Sequence, residues 1–328
     1  MFKALAMIEQ DDAIATVIAE LEESDLPEGD VLIDVAYSSL NYKDGLVLNN
    51  LGGLVKTYPH IPGIDLSGTV AHSDHPDFQP GDLVVCTGWR VGEIHWGGYA
   101  QKARLKGEWL TKLPANLTPR TAMGLGAAGL TAIIALEALE DHGLIPDRGE
   151  VLITGAGGGV GSFSVLLLSA LGYNVTASTG RPELAPYLKD LGARTVIPRQ
   201  ELAEPSQRPL ESARWAACID SVGGTTLTRA LAQMDYGASI AAVGLAGGSE
   251  FTATVIPFLL RGVNILGVDS VFYPIVRRSR AWARLARELP LDKINTICCE
   301  TGLAHLPQLG KDILEGKIRG RVIINPNT

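Results

Sequence analysis

The residues best suited to do chemistry in this chain are Val151-Leu152-Ile153-Thr154-Gly155-Ala156-Gly157-Gly158-Gly159-Val160-Gly161, where an apolar run stops in glycines and resumes as a helix-like pattern over 162–171. Ala156-x-Gly158-x-x-Gly161 reads as a dinucleotide-binding fingerprint with Ala in the first glycine's place. Gly158 lets backbone approach a pyrophosphate, Gly161 lets a helix pack on a strand, and the free N–H groups at the helix start receive phosphate. Five glycines in seven residues also suit a tight turn, but the strand before, the helix after and a partner strand at 174–178 supply the context the fingerprint requires.

An enzyme selecting NAD places a carboxylate about 20 residues past the glycines, against the ribose hydroxyls. Here the second strand ends Ser178-Thr179-Gly180-Arg181, with no Asp or Glu. Hydroxyls and a guanidinium suit a 2′-phosphate, which a carboxylate would repel, so NADPH is the expected cofactor. Arg199, after a third strand at 195–197, reads either as a second contact to that phosphate or the adenine, or as a surface loop arginine. The alternative to a phosphate contact for Arg181 is a solvated residue opening the next helix.

The 328 residues hold enough material for two domains, and 46% hydrophobic with 20% charged residues is the profile of a soluble globular enzyme. A net charge of −8 argues against a general nucleic-acid or anionic-membrane surface, so the expected partners are small molecules. Met1-Phe2-Lys3-Ala4 runs into Glu9-Gln10-Asp11-Asp12 without a signal peptide's apolar stretch, and no segment reads as long enough to cross a membrane. The expectation is a cytoplasmic protein. Cys86, Cys218, Cys298 and Cys299 lack metal-knuckle spacing and read as structural and reduced.

These residues need elements to position them. Up to about Leu117 the chain reads as short strands, at 31–36, 69–71 and 83–87, punctuated by turns such as Gln79-Pro80-Gly81-Asp82. From about Ala122 helices alternate with strands, the later ones near 216–220, 239–243 and 264–268. Six strands alternating with helices predict an α/β fold: a doubly wound, Rossmann-type parallel sheet whose crevice lies at the carboxyl ends of its strands, preceded by a mainly β domain. Glu204-Pro205-Ser206-Gln207-Arg208-Pro209 reads as an exposed loop, and the last 55 or so residues return to mixed character.

A β-rich start, a glycine-turn nucleotide domain and a short return segment together resemble the medium-chain dehydrogenase/reductase superfamily. That resemblance implies a GroES-like catalytic domain over 1–121, a Rossmann domain over 122–271 and a return segment at 272–328 completing the first. The superfamily's zinc-dependent alcohol dehydrogenases carry a Cys in the first active-site loop and a Gly-His-Glu further on. Here those places hold Asn41, in Ser38-Ser39-Leu40-Asn41-Tyr42-Lys43-Asp44, and Ile64-Asp65, and the four-cysteine structural lobe is absent. No metal is expected, as in the zinc-free quinone oxidoreductase branch.

Within that branch, Asn41-Tyr42-Lys43-Asp44-Gly45-Leu46, Pro62-Gly63-Ile64-Asp65, the Gly88–Gly98 segment, Gly244-Leu245-Ala246-Gly247-Gly248 and Gly267-Val268-Asp269-Ser270 resemble the NADPH-dependent acryloyl-CoA reductases. The resemblance implies reduction of the α,β double bond of acryloyl-CoA to propionyl-CoA, on a small enoyl-CoA substrate. It assigns nucleotide contacts to Tyr42, Gly157, Gly158, Gly159, Val160, Thr179, Gly180, Arg181, Arg199, Leu245 and Ser270. It also implies a homodimer joined through the last strand of the nucleotide sheet, near 264–268, whose open edge offers unpaired backbone groups.

Conjugate reduction of a thioester needs a hydride at Cβ, stabilisation of the developing enolate oxygen and a proton at Cα. Without zinc, the candidate catalytic residues are Asn41 and Tyr42 as donors to the carbonyl, with Asp44 and Asp65 orienting that donor or Lys43, or simply capping the loop. Tyr42 reads as donor, as cofactor contact or as a packing ring. His95, beside Trp96, either lines the substrate mouth or is structural. Arg277, Arg278, Arg280, Arg284 and Arg287 either meet CoA phosphates or form a solvated helix face, and Arg319 and Arg321 are weaker candidates. The competing readings are a quinone or enone reductase on the same scaffold, and a non-catalytic nucleotide-binding protein like the crystallin relatives of this branch.

Overall fold

In the computed structural model, residues 1–11, 13–204 and 208–328 are described, so residues 205–207 of the expected 204–209 loop lie outside the described residues. The chain divides into two units: Met1–Leu130, Ser270–Ala286 and Ile294–Thr328 form the first, Thr131–Asp269 and Arg287–Lys293 the second.

The first unit is built on a sheet in the order Cys298–Gly302, Arg321–Asn325, Val31–Leu40, Asp65–Ser73, Leu83–Thr87, Leu110–Lys112, with Lys102–Leu105 also paired to Val31–Leu40. Val31, Ile33 and Val35 are buried while Asp34 is exposed, the period of two that marks a half-buried strand. The C-terminal strand Arg321–Asn325 lies antiparallel to Val31–Leu40, with Val322 opposite Leu40 and Ile324 opposite Ser38. That pairing brings the C-terminal strand into one sheet with strands from the first third of the sequence. Phe2–Gln10 and Ala13–Leu21 pair separately as an antiparallel ribbon.

The second unit holds, among the described residues, six parallel strands in the order Thr195–Pro198, Asn174–Thr179, Glu150–Ile153, Trp215–Asp220, Met234–Ala242, Asn264–Gly267. Numbered along the chain this is 3-2-1-4-5-6, the doubly wound order with its reversal beside Glu150–Ile153. Val151, Leu152 and Ile153 are all fully buried, as a strand covered on both faces requires. Asn264–Gly267 is the last strand of this sheet.

Several elements differ in extent from the sequence expectation. The helix after the glycines is Gly159–Ala170, starting inside the glycine run because Gly158 takes extended backbone and serves as its N-cap. The strands expected at 31–36, 69–71 and 239–243 extend to Val31–Leu40, Asp65–Ser73 and Met234–Ala242, since ladder pairing carries strands past their most apolar residues. The expectation that no segment could cross a membrane is corrected: helix Pro119–Asp141 is long and apolar enough, but 83% of its apolar window is buried within the protein. All four cysteines are free thiols, with Cys86 and Cys218 buried and Cys299 exposed.

Candidate functional site

At the turn after Glu150–Ile153, Gly155 has φ 59°, and the chain reverses so that the Ala156 N–H bonds to the Ser178 carbonyl at 3.1 Å. A Cβ on Gly161 would collide with the Gly155 carbonyl oxygen and the Ala156 Cα, so only glycine lets the helix start this close to the turn. The Ser162 hydroxyl donates to the Ala156 carbonyl at 3.1 Å, holding the first helical turn on the loop. Gly158, Gly159 and Val160 are partly exposed, and the first N–H groups of Gly159–Ala170 have no partner in their own helix. This cradle fits a dinucleotide's pyrophosphate.

The end of Asn174–Thr179 supplies the next group. The Thr179 hydroxyl accepts from the Arg181 N–H at 3.1 Å, and Arg181 Nη2 donates to the Gly157 carbonyl at 3.2 Å, laying the guanidinium on the glycine turn. In the parallel ladder Pro198 pairs with Thr179, which sets Arg199 beside Gly180. The Arg199 Cζ lies 3.0 Å from where a Cβ on Gly180 would stand. Two arginines thus stand at the ends of adjacent strands, one guanidinium on Gly157 and the other beside Gly180, a pairing suited to a phosphate monoester. Leu245 is exposed in the loop after Met234–Ala242.

In the first unit, the Ser38–Asp44 segment is anchored by a buried polar network. Asp65, fully buried, accepts from the Ser39 hydroxyl at 2.6 Å, from Asn41 Nδ2 at 3.1 Å and from the Ala127 N–H at 2.9 Å. Arg321, also buried, donates to the Leu40 carbonyl at 2.9 Å and to Asn41 Oδ1 at 2.8 Å, with Nη2 3.7 Å from Asp65 Oδ2. Asn41 and Asp44 form a capping box at the start of helix Tyr42–Leu48, and Asp44 also accepts from the Ile64 N–H at 2.9 Å. Burial, and then the negative charge of Asp65, push the Asp44 carboxyl up to about 7. Gly126, at φ 52°, breaks the helix Pro119–Asp141 above this network, where a Cβ would strike Arg321, Asp65 and Ser39.

This geometry corrects the expectation that Asn41 donates to a substrate carbonyl: both ends of its carboxamide are engaged inside the protein. Asp44 caps the loop rather than orienting Lys43, whose ammonium instead pairs with buried Glu93 at 2.9 Å. Tyr42, 38% exposed, makes no hydrogen bond through its hydroxyl among the described residues, so it is the donor in this segment left available. The donor set does not fit zinc. Asp65 is saturated by hydrogen bonds beside a fixed guanidinium, Ile64 offers no ligand, and no group of three His, Cys, Asp or Glu residues that could hold a metal occurs among the described residues.

Other residues resolve differently. His95 is structural, its ring nitrogens at 3.0 Å from the Trp96 carbonyl and 3.2 Å from the Glu28 carbonyl. Arg278 is not on a solvated face: it is buried, donates to the Thr87 carbonyl at 2.6 Å and to the Ser270 and Val271 carbonyls at 3.0 and 3.1 Å, and stands over the Trp89 ring. Ser270 is thereby held through its carbonyl. The signal was present, because Arg278 lies in register with buried Ala281, Trp282 and Leu285 at helical spacing. Arg321, ranked low from sequence, opens the buried run Val322-Ile323-Ile324 at the centre of the first unit's network.

Residues 27–115 match the alcohol dehydrogenase GroES-like domain and residues 159–287 the zinc-binding dehydrogenase family. The chain is 54% identical to the acrylyl-CoA reductase AcuI of Ruegeria pomeroyi over the full length of both. Among solved structures it resembles the YhdH oxidoreductase of Salmonella enterica in complex with NADP, at 49% identity and TM-score 0.96, covering 98% of this chain and 99% of that one. It also resembles YhfP of Bacillus subtilis with NAD bound, at 44% identity and TM-score 0.95, covering 99% of each. A glycine turn on a 3-2-1-4-5-6 sheet, a β unit closed by its C-terminal strand, and full-length identity above half place this chain in the medium-chain dehydrogenase/reductase superfamily, in the family of the acrylyl-CoA reductases.

Proposed function

We propose that this protein reduces the α,β double bond of acryloyl-CoA to give propionyl-CoA, using NADPH. The observation that carries the cofactor choice is the pair Arg181 and Arg199 at the ends of adjacent strands, where the strand end Ser178-Thr179-Gly180-Arg181 carries a hydroxyl and a guanidinium in place of an Asp or Glu. The relative named for this activity, matching over its full length, supports the substrate.

Bound NADPH supplies the hydride for Cβ. A proton from solvent at Cα completes the product, and the chain's own residues bind and orient: the glycine turn and the Gly159–Ala170 helix start bind the pyrophosphate, and Thr179, Arg181 and Arg199 bind the 2′-phosphate. The Tyr42 hydroxyl donates to the thioester oxygen as enolate charge develops, a role its free donor suits. Asn41 and Asp44 hold Tyr42 in place through the capping box, and Arg321 and Asp65 hold Asn41. Leu245 and Ser270 complete the nucleotide site. No metal takes part, because the donor set at Asn41 and Asp65 suits hydrogen bonding.

The protein acts in the cytoplasm as a homodimer joined through the exposed edge of Asn264–Gly267, beside which Leu259 and Leu260 are exposed. A monomer mass at micromolar concentration would count against this assembly. Steady-state NADPH oxidation with acryloyl-CoA, crotonyl-CoA and a quinone tests the activity. Acryloyl-CoA should give the highest efficiency; a quinone or free enone ahead of it by about tenfold, ~1.4 kcal/mol in barrier, would overturn the substrate.

A further inference from the structure

Asp220 ends the fourth strand of the nucleotide sheet and is fully buried. Its carboxylate accepts from the Thr154 hydroxyl at 2.6 Å, from the Gly223 N–H at 2.8 Å and from the Val222 N–H at 3.4 Å. The Thr154 hydroxyl in turn accepts from the Ser221 N–H at 3.0 Å, so one carboxylate and one hydroxyl take up three successive backbone donors. Burial pushes the Asp220 carboxyl above the usual carboxylate range, and these donors are what hold the charge there.

The turn fixed in this way carries the next loop. The Val222 carbonyl accepts from the Gly247 N–H at 2.7 Å, the Ser221 carbonyl from the Ala246 N–H at 3.4 Å, and Gly223 bridges to Gly248. The Asp220 carbonyl also takes the Val243 N–H at 2.9 Å. What remain are the Gly244 and Leu245 N–H groups, unbonded among the described residues, with Leu245 exposed at the tip of the loop. Thr154 stands at the glycine turn and Gly244–Gly248 follows the fifth strand, so Asp220 couples the pyrophosphate turn to the loop two strands away.

A doubly wound sheet takes a dinucleotide across its reversal, one mononucleotide on each half. Strands one to three carry Thr179, Arg181 and Arg199, so the adenosine half belongs there, and strands four to six take the nicotinamide half. We propose that Asp220 is a positioning residue for the nicotinamide half of the dinucleotide, acting through the 221–223 turn to hold the Leu245 N–H toward the carboxamide. This rests on the NADPH reading above. Asp220 touches no ligand itself.

The test separates the two halves of the cofactor, using the full-length protein and binding titrations with NADPH and with 2′,5′-ADP, which has the adenosine and 2′-phosphate but no nicotinamide. Asp220→Asn replaces an acceptor by an amide that opposes the Val222 and Gly223 N–H groups. It should weaken NADPH about tenfold, the equivalent of one charge-assisted hydrogen bond, and leave 2′,5′-ADP within about twofold. Thr154→Val, a milder change at the same junction, should move NADPH in the same direction by about threefold and again spare 2′,5′-ADP, which keeps the idea testable if Asp220→Asn folds poorly. Equal weakening of both ligands would mean a merely structural role, and unchanged NADPH binding would mean none; either overturns the proposal. Wild-type protein that binds 2′,5′-ADP no better than 5′-AMP would instead bring down the NADPH reading beneath it.

Discussion

Arg321 Nη1 donates to Asn41 Oδ1 at 2.8 Å across 280 positions of sequence, in a first unit whose C-terminal strand pairs with the strand leading into Asn41. The segment Ser38–Asp44 is therefore held from below by an ion pair and a capping box, with Tyr42 as the residue it presents to solvent.

Loss of Arg321 should cost much more than loss of a surface charge, because Asp65 would remain buried beside no cation. Arg321→Met should lower unfolding free energy by about 3–5 kcal/mol, and adding Asp65→Asn should recover part of that loss. Denaturant titrations of the wild type and the two variants measure it. A single-variant loss under about 1 kcal/mol would show that the pair behaves as an exposed one.

The cofactor reading predicts that Arg181→Ala weakens NADPH by about 1–3 kcal/mol through loss of charge-assisted hydrogen bonds and leaves NADH nearly unchanged. Arg199→Ala should move in the same direction. Titration of each nucleotide decides this, and wild-type protein using both cofactors with equal efficiency would remove the assignment of a 2′-phosphate site.

Asp44 gives a pH signature. Its carboxyl, near 7 when folded and at 3.8 unperturbed, binds a proton in the native state that the unfolded chain has released across that window. Its contribution to stability is thus present at low pH and declines as pH rises from about 4 to about 7. Asp44→Asn removes the ionisation, so the variant should gain on wild type by ~2–4 kcal/mol between pH 5 and pH 8. Unfolding curves whose difference stays constant with pH would contradict the neutral, buried state of Asp44.

Tyr42→Phe should lower turnover more than NADPH affinity, since its hydroxyl is offered to the developing enolate oxygen rather than to the nucleotide. With the wild type, a methyl at Cβ, as in crotonyl-CoA, should cost about 1–3 kcal/mol in kcat/KM if the pocket is close-fitting. A Tyr42→Phe enzyme with intact kcat would return Tyr42 to a packing role.

Activity should survive exhaustive chelation, and elemental analysis should find no stoichiometric metal. The reason is chemical: Asp65 has its lone pairs filled by Ser39, Asn41 and Ala127, with Arg321 as its counter-charge. Stoichiometric zinc with activity lost on chelation would refute it.

The local features were legible in the sequence because each is set by residues close together along the chain. The glycine run, the buried Val151-Leu152-Ile153 strand and the Thr179-Gly180-Arg181 strand end all depend on short-range backbone freedom and periodicity. The parallel sheet followed from helix and strand alternation, because parallel strands need crossover connections, while its strand order came from the fold. Helix starts and strand ends were less legible: Gly158 caps a helix that hydrophobicity alone would begin later, and ladder bonds extend strands into polar residues.

Only the tertiary structure decided which charges are buried. Arg278 and Arg321 look like surface cations in a chain with many others, yet they sit at 1% and 3% exposure because packed strands and loops surround them with carbonyl acceptors supplied from distant sequence. Asn41 has donors to offer in isolation and none to spare once Asp44, Asp65 and Arg321 converge on it. The sequence by itself determined the backbone class and the nucleotide turn, which arise from neighbours. Desolvation and hydrogen-bond competition arise from the sum over long-range contacts, so the roles of Asn41, Arg278, Arg321 and Asp220 appear only when the chain has folded.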